Sequence, residues 1–148
     1  MTAVIALFCC SAAFAQNTDG GATEMKEKSL YQRLGGYDAI AAVSDEFIMQ
    51  LATGKRLKRF VVGLSDDSKK KLRQHLVDFL CNLTGGPCLY HGRDMKTVHT
   101  GLGIDEDDWK EGVDALAAIL EKFKVPEKEK NEVLTAFGTL KKDIVAKK

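Results

Sequence analysis

His75, His91 and His99 are the only imidazoles in the chain, and imidazole is the side chain best matched to chemistry near neutral pH. A neutral ring offers one unprotonated nitrogen to a metal, while the other nitrogen carries a proton that an acceptor can hold. His99 lies four residues after Met95, so the two share a face of any helix that spans them. His75 lies three residues after Leu72 and directly before Leu76, on the border of an apolar face. Taken alone, each also reads as an ordinary packing histidine. His91 falls in a loop-like stretch without a partner for acid–base work. Cys81 and Cys88 sit seven apart across Gly85-Gly86-Pro87. In an oxidising compartment they could close a small disulfide loop; otherwise they read as one core thiol and one loop thiol.

The elements that carry these residues read as helices. Tyr31 to Leu34 makes one turn stopped by Gly35-Gly36. Tyr37, Ile40, Ala41, Ser44, Ile48 and Leu51 then recur at three- and four-residue steps, and Phe47 widens that face. Thr53-Gly54 interrupts it, and Leu57, Phe60 and Val61 form a short apolar connector. Ser65-Asp66-Asp67 suits a helix start, since it serves free amides and complements the dipole. The following apolar face contains Leu72, Leu76, Phe79, Leu80 and Leu83, and Gly85-Gly86-Pro87 ends it. About two turns are expected around Arg93 to Thr100. Trp109, Val113, Leu116, Leu120 and Phe123 make a strong helical stripe. Pro126 suits an early position of a last helix in which Val133, Phe137, Leu140 and Ile144 recur at steps of four, three and four. The periodicity stays near 3.6 wherever it persists, so strands are unsupported.

Composition narrows the function. With Lys plus Arg 22 against Asp plus Glu 21, the net charge is +1, which supplies no electrostatic footprint for nucleic acid. A hydrophobic content of 45% is too high for a disordered chain, and 148 residues make one small domain. The first 15 residues carry no charge and end in Ala13-Phe14-Ala15, which resembles a secretory signal without its positive leading region. Expected boundaries are therefore a signal peptide at 1–15, a polar leader at 16–29 and a working domain at 30–146, in a periplasmic or secreted protein. A cytoplasmic location follows if that signal is not used. Removing it would also remove Cys9 and Cys10.

From about Leu30 to Val145 the chain resembles the group 1 truncated haemoglobins. The resemblance rests on LYQRLGGYDAI, EFIMQLATGKRLKRF, LTGGP, YHGRDMKTVHTGLGI and KFKVP in that order, with M-K-x-V-H the most specific part. It implies an all-α truncated globin, a two-over-two helical sandwich around haem b (iron protoporphyrin IX). His99 matches the proximal iron ligand. Phe47 and Phe60 match aromatic haem-pocket positions, Leu72 and Leu76 match distal-pocket positions, and Lys96 is a candidate partner for a haem propionate. The spacing of the cysteines does not give C-x-x-C-H, which disfavours covalent c-type attachment.

The chain also departs from the pattern. Ile48 stands where many members have a distal tyrosine, and Leu76 where many have glutamine. The connector reads Phe60-Val61 in place of a double aromatic. Losing those donors weakens stabilisation of a bound gas that carries partial negative charge. His75 matches a position that is histidine in some cyanobacterial members and can serve as a second axial ligand, or swing aside and donate a hydrogen bond. The resemblance thus implies reversible binding of oxygen, nitric oxide or carbon monoxide, with oxygen transport among the roles it would fit. The alternatives are bis-histidyl electron transfer with a redox partner, and nitric oxide dioxygenase or peroxidase-like detoxification. A helical interaction domain without haem is the reading from a different class. The sequence does not set an oligomeric state.

Overall fold

The computed structural model describes residues 27–146, so the expected signal segment and all of the leader before Glu27 lie outside the described residues. Seven α-helices follow in order: α1 (Leu30–Arg33), α2 (Tyr37–Thr53), α3 (Asp66–Leu83), α4 (Met95–His99), α5 (Glu106–Lys122), α6 (Glu127–Gly138) and α7 (Lys141–Ile144). A 3₁₀ turn at Leu57–Phe60 joins α2 to α3, and no strand occurs among the described residues.

Side chains that hold the backbone's free amides mark several helix starts. Ser29 and Gln32 form a reciprocal capping box at α1. Ser65 Oγ accepts from Ser68 N at 3.2 Å at the start of α3, as the Ser-Asp-Asp sequence implies. Asp105 and Asp108 form the box that opens α5. Pro126 is the residue before α6, one step outside the helix, with its carbonyl accepting from Lys130 N at 2.9 Å.

The expected last helix breaks in two. Its apolar spacing runs on through Leu140 and Ile144, but α6 stops at Gly138. The Thr139 hydroxyl donates to Ala136 O at 2.7 Å, and the amides of Thr139 and Leu140 reach back only three residues. A glycine followed by a threonine that competes for the same carbonyl tightens the turn and redirects the chain. The short α4 also ends sooner than two full turns, because Asp94 caps it and Thr100 is already extended.

Helix α2 packs on α3 and α5, α5 on α6, α1 on α6, and α4 on α7. One apolar cluster gathers Phe47, Leu116, Ile119, Leu120 and Val133; a second gathers Ile40, Val77, Leu80 and Cys81. Leu34, Val43 and Leu76 touch both, so the two helix pairs share one core. Each fully buried Leu or Ile there contributes about 2 kcal/mol of apolar transfer. The result is the two-over-two helical sandwich, with α3 and α4 left to carry the histidines on either side of a loop.

Candidate functional site

Helix α4 is built to present one imidazole. Asp94 accepts from Thr97 N at 2.9 Å and from the Thr97 hydroxyl at 2.6 Å, which starts the helix. These two bonds hold the Asp94 carboxyl below its ordinary range, the hydroxyl acting most strongly. At the other end His99 Nδ1 lies 2.7 Å from Met95 O. A carbonyl can only accept, so Nδ1 is the protonated nitrogen and Nε2 of the neutral ring keeps its lone pair. His99 is half-buried, and the chain turns away behind it through Gly101, whose φ of 85° suits glycine.

His99 lines a cavity of about 260 Å³ between α4 and α7, together with Lys96, Thr100 and Lys142. The tail closes that side, since Ala146 N donates to Ile104 O at 2.8 Å. Lys96 is exposed at the rim of this cavity. Helix α7 therefore backs the element that carries His99.

Across the loop, α3 is an 18-residue helix. Leu72 and Leu76 are half-buried on it, and Ile48 is half-buried on α2. None of these three side chains can donate or accept a hydrogen bond. His75 is exposed; its ring meets Tyr90 edge-to-face, with centroids 6.1 Å apart. The apolar border expected for His75 is thus a ring contact with the loop after α3. His75 and His99 do not line a common cavity among those described, and His91 is exposed.

Phe47 belongs to the core, with its ring edge-on to Phe137 at 6.2 Å and only 9% of its surface exposed. Phe60 is half-buried and carries the Arg59 guanidinium 4.6 Å above its ring. A second cavity of about 150 Å³, walled by Ile40, Val43, Leu80, Leu116 and Leu120, is almost wholly apolar and contains no histidine.

Two features that hold the site were not anticipated from the sequence. The first is the buried carboxylate of Asp108, which accepts from Arg56 Nε at 2.9 Å and from Arg59 at 2.5 Å. Arg56 also donates to both oxygens of Asp105, and its backbone amide donates to Glu111. These bonds fasten the connector bearing Phe60 to the start of α5, and the acidic run Asp105 to Asp108 was legible only as a helix start. The second is Tyr90, whose phenol burial pushes above its ordinary pKa. The cysteine pair is resolved: Cys81 and Cys88 form a disulfide, with Cα atoms 5.7 Å apart.

Among the described residues no three His, Cys, Asp or Glu side chains converge to hold a bare metal ion. A single well-oriented imidazole beside apolar walls instead suits a metal that brings most of its own ligands. That donor set fits haem, with the ring nitrogen of His99 free and Leu72, Leu76 and Ile48 available as dry walls.

Comparison with known proteins agrees. The family profile of the bacterial-like globins matches residues 29–146. The group 1 truncated haemoglobin of Mycolicibacterium paratuberculosis is 31% identical over 116 residues, covering 78% of this chain and 83% of that protein. The group 1 truncated haemoglobin of Tetrahymena pyriformis is 29% identical over 122 residues, covering 82% of this chain and 98% of that protein. Its Fe(III) crystal structure superposes with a TM-score of 0.74 at 28% identity, over 81% of this chain and 100% of that one. The 2/2 haemoglobin of a Synechococcus species, in the cyanomet state with covalently attached haem, gives 0.73 at 26% identity, over 80% of this chain and 98% of that one. The chain belongs to the bacterial-like globin family as a group 1 truncated haemoglobin, a haem protein of a family that binds small gases.

Proposed function

We propose that this globin binds a small diatomic gas reversibly, with His99 as the proximal ligand and His75 as an exchangeable ligand on the distal side. The observation that carries this reading is the 2.7 Å contact from His99 Nδ1 to Met95 O, which leaves Nε2 as a fixed, unprotonated donor. Bound haem supplies an iron already held by four porphyrin nitrogens, with two axial positions open to the protein or a gas. Met95 orients the proximal ring, and Asp94 secures the turn from which it projects. Phe60 and Phe47 support the pocket from the connector and the core, and Lys96 is placed at a cavity rim where its ammonium can meet a propionate.

On the distal side Ile48, Leu72 and Leu76 exclude water without donating a hydrogen bond. That leaves His75 to fill the axial position until a gas displaces it, or to donate to the gas from beside it. We place the working protein outside the cytoplasm, and the disulfide between Cys81 and Cys88 supports an oxidising compartment.

The test is the pair of ferric and ferrous absorption spectra of wild type and His75→Ala, before and after carbon monoxide. The expected result is a six-coordinate wild type whose axial site opens in the variant. Identical spectra and identical gas response would remove His75 from the site. A wild type that stays six-coordinate under saturating carbon monoxide would favour electron transfer instead.

A further inference from the structure

The loop from Gly85 to Arg93 is fastened over the C-terminal half of α3, and the fastening converges on one ring. The Cys81–Cys88 disulfide ties the loop to the helix. Asn82 Nδ2 donates to Cys88 O at 3.2 Å, and Gly86 N donates to Cys81 O at 2.8 Å. Two residues past the disulfide, Tyr90 turns back onto α3. Its phenol donates to Arg93 O at 2.8 Å, which closes the loop on itself. Gly92 makes room for this: a Cβ there would stand 2.2 Å from the Tyr90 hydroxyl, so the ring could not occupy its position beside any other residue.

What the ring touches gives the arrangement its meaning. His75 and Phe79 are one turn apart on α3 and share a face. Tyr90 meets both edge-to-face, Phe79 with centroids 5.3 Å apart and His75 at 6.1 Å. Phe79 anchors Tyr90 permanently, because neither residue has a competing task. His75 has one: on the reading proposed above, on which this inference rests, it must also reach the distal axial position. It cannot keep the Tyr90 contact while doing so, since the helix that carries it is rigid and only its own side chain can turn.

We propose that Tyr90 is a positioning residue that holds His75 in its outward orientation and so sets how often His75 occupies the axial site. The aromatic contact stabilises the open state, and its loss shifts the balance toward the His75-bound state. Edge-to-face pairs of this kind change such an equilibrium by roughly two- to tenfold. The hydroxyl of Tyr90 serves Arg93 and not His75, so the ring alone carries the effect.

The experiment uses haem-loaded protein throughout. Recombination after flash photolysis of the carbon monoxide complex gives the association and dissociation rates of His75, whichever state dominates at rest. Tyr90→Ala is expected to raise the ratio of bound to open His75 roughly two- to tenfold, Tyr90→Phe to keep the wild-type ratio, and the double variant with His75→Ala to show no internal ligand. The second readout is independent of ligation: in the carbon monoxide complex, nuclear Overhauser contacts are expected between the His75 and Tyr90 rings. Unchanged ratios in Tyr90→Ala, or missing ring contacts, while His75→Ala still abolishes internal ligation, would overturn the positioning role and leave the ligand role intact. No internal ligation in any of the four proteins would overturn both. Circular dichroism that shows Tyr90→Ala to be misfolded moves the decision to Tyr90→Leu, which fills the space without a ring and carries the same expectations.

Discussion

Helix α4 has five residues and α3 has eighteen, yet the shorter element holds its histidine more firmly. In α4 the ring is tied through Nδ1 to a backbone carbonyl of the same turn, and that turn is capped by Asp94 and backed by α7. In α3 the backbone is fixed along its length by core contacts through Val77, Leu80 and Cys81, while His75 leans on one ring from a neighbouring loop. The contrast separates the stability of an element from the freedom of a side chain on it. A proximal ligand must stay, so its hydrogen bond is to the main chain. A distal ligand must leave, and a weak contact on a rigid helix lets it do so without moving the fold.

The largest blow to this contrast is His99→Ala. It removes the one imbalance between the sides, and haem retention should fall by more than about a hundredfold, since altering even a group behind a ligand costs up to that much. Haem transfer to a stronger acceptor measures it. His75→Ala should leave retention nearly unchanged in the same assay. Equal losses from the two variants would mean that the two histidines share the holding of haem, and the contrast drawn from α4 and α3 would collapse.

The distal side rests on its disulfide to a degree that can be measured next. Replacing Cys81 and Cys88 together by alanine opens a loop of seven-residue separation. Chain entropy then predicts a loss of about 2 kcal/mol in stability, or a midpoint lower by about 10 °C in thermal unfolding. The sharper expectation is that haem retention through His99 changes little, because α4 is secured by Asp94 and α7 rather than by that loop. If retention falls in step with the midpoint, the two sides are one cooperative unit.

How much of this was legible beforehand differs between the sides for the same reason. Periodicity located every long helix, because Leu116 and Leu120 or Leu72 and Leu76 bury one stripe whatever their neighbours are. The proximal histidine could be picked out because its contacts are local: Met95 lies one turn away in the sequence. The outward orientation of His75 was not legible, since its partner Tyr90 arrives from a loop fifteen residues on. The Arg56 and Arg59 bonds to Asp108 span 49 to 52 residues and belong to the same class. Phe47 was expected in the haem pocket by resemblance, and its packing against Leu116, Leu120 and Phe137 shows it also serving the core. Even the break after Gly138 turns on which donor wins Ala136 O, a competition that apolar spacing does not record.

The smallest expected effect is at the start of α4, and it distinguishes a cap from a charge. Asp94→Ala removes the acceptor for Thr97 and should weaken haem retention roughly fivefold. Asp94→Asn keeps a capping oxygen and should cost less. The two also differ in acid. The hydrogen bonds from Thr97 depress the folded-state pKa of Asp94 below its ordinary 3.8. A depressed carboxylate contributes stability that is complete above its unfolded pKa and is lost as pH falls through the folded one, so the effect begins below about pH 4. Wild type and Asp94→Asn should therefore hold haem in a constant ratio from neutrality down to that point, then converge as protonation removes what the aspartate alone provides. Protonation of His99 acts on both chains alike and cancels in the ratio. A ratio that stays flat below pH 4 would show that Asp94 acts only as a neutral acceptor, and that the charge at the N-terminus of α4 plays no part in keeping His99 in place.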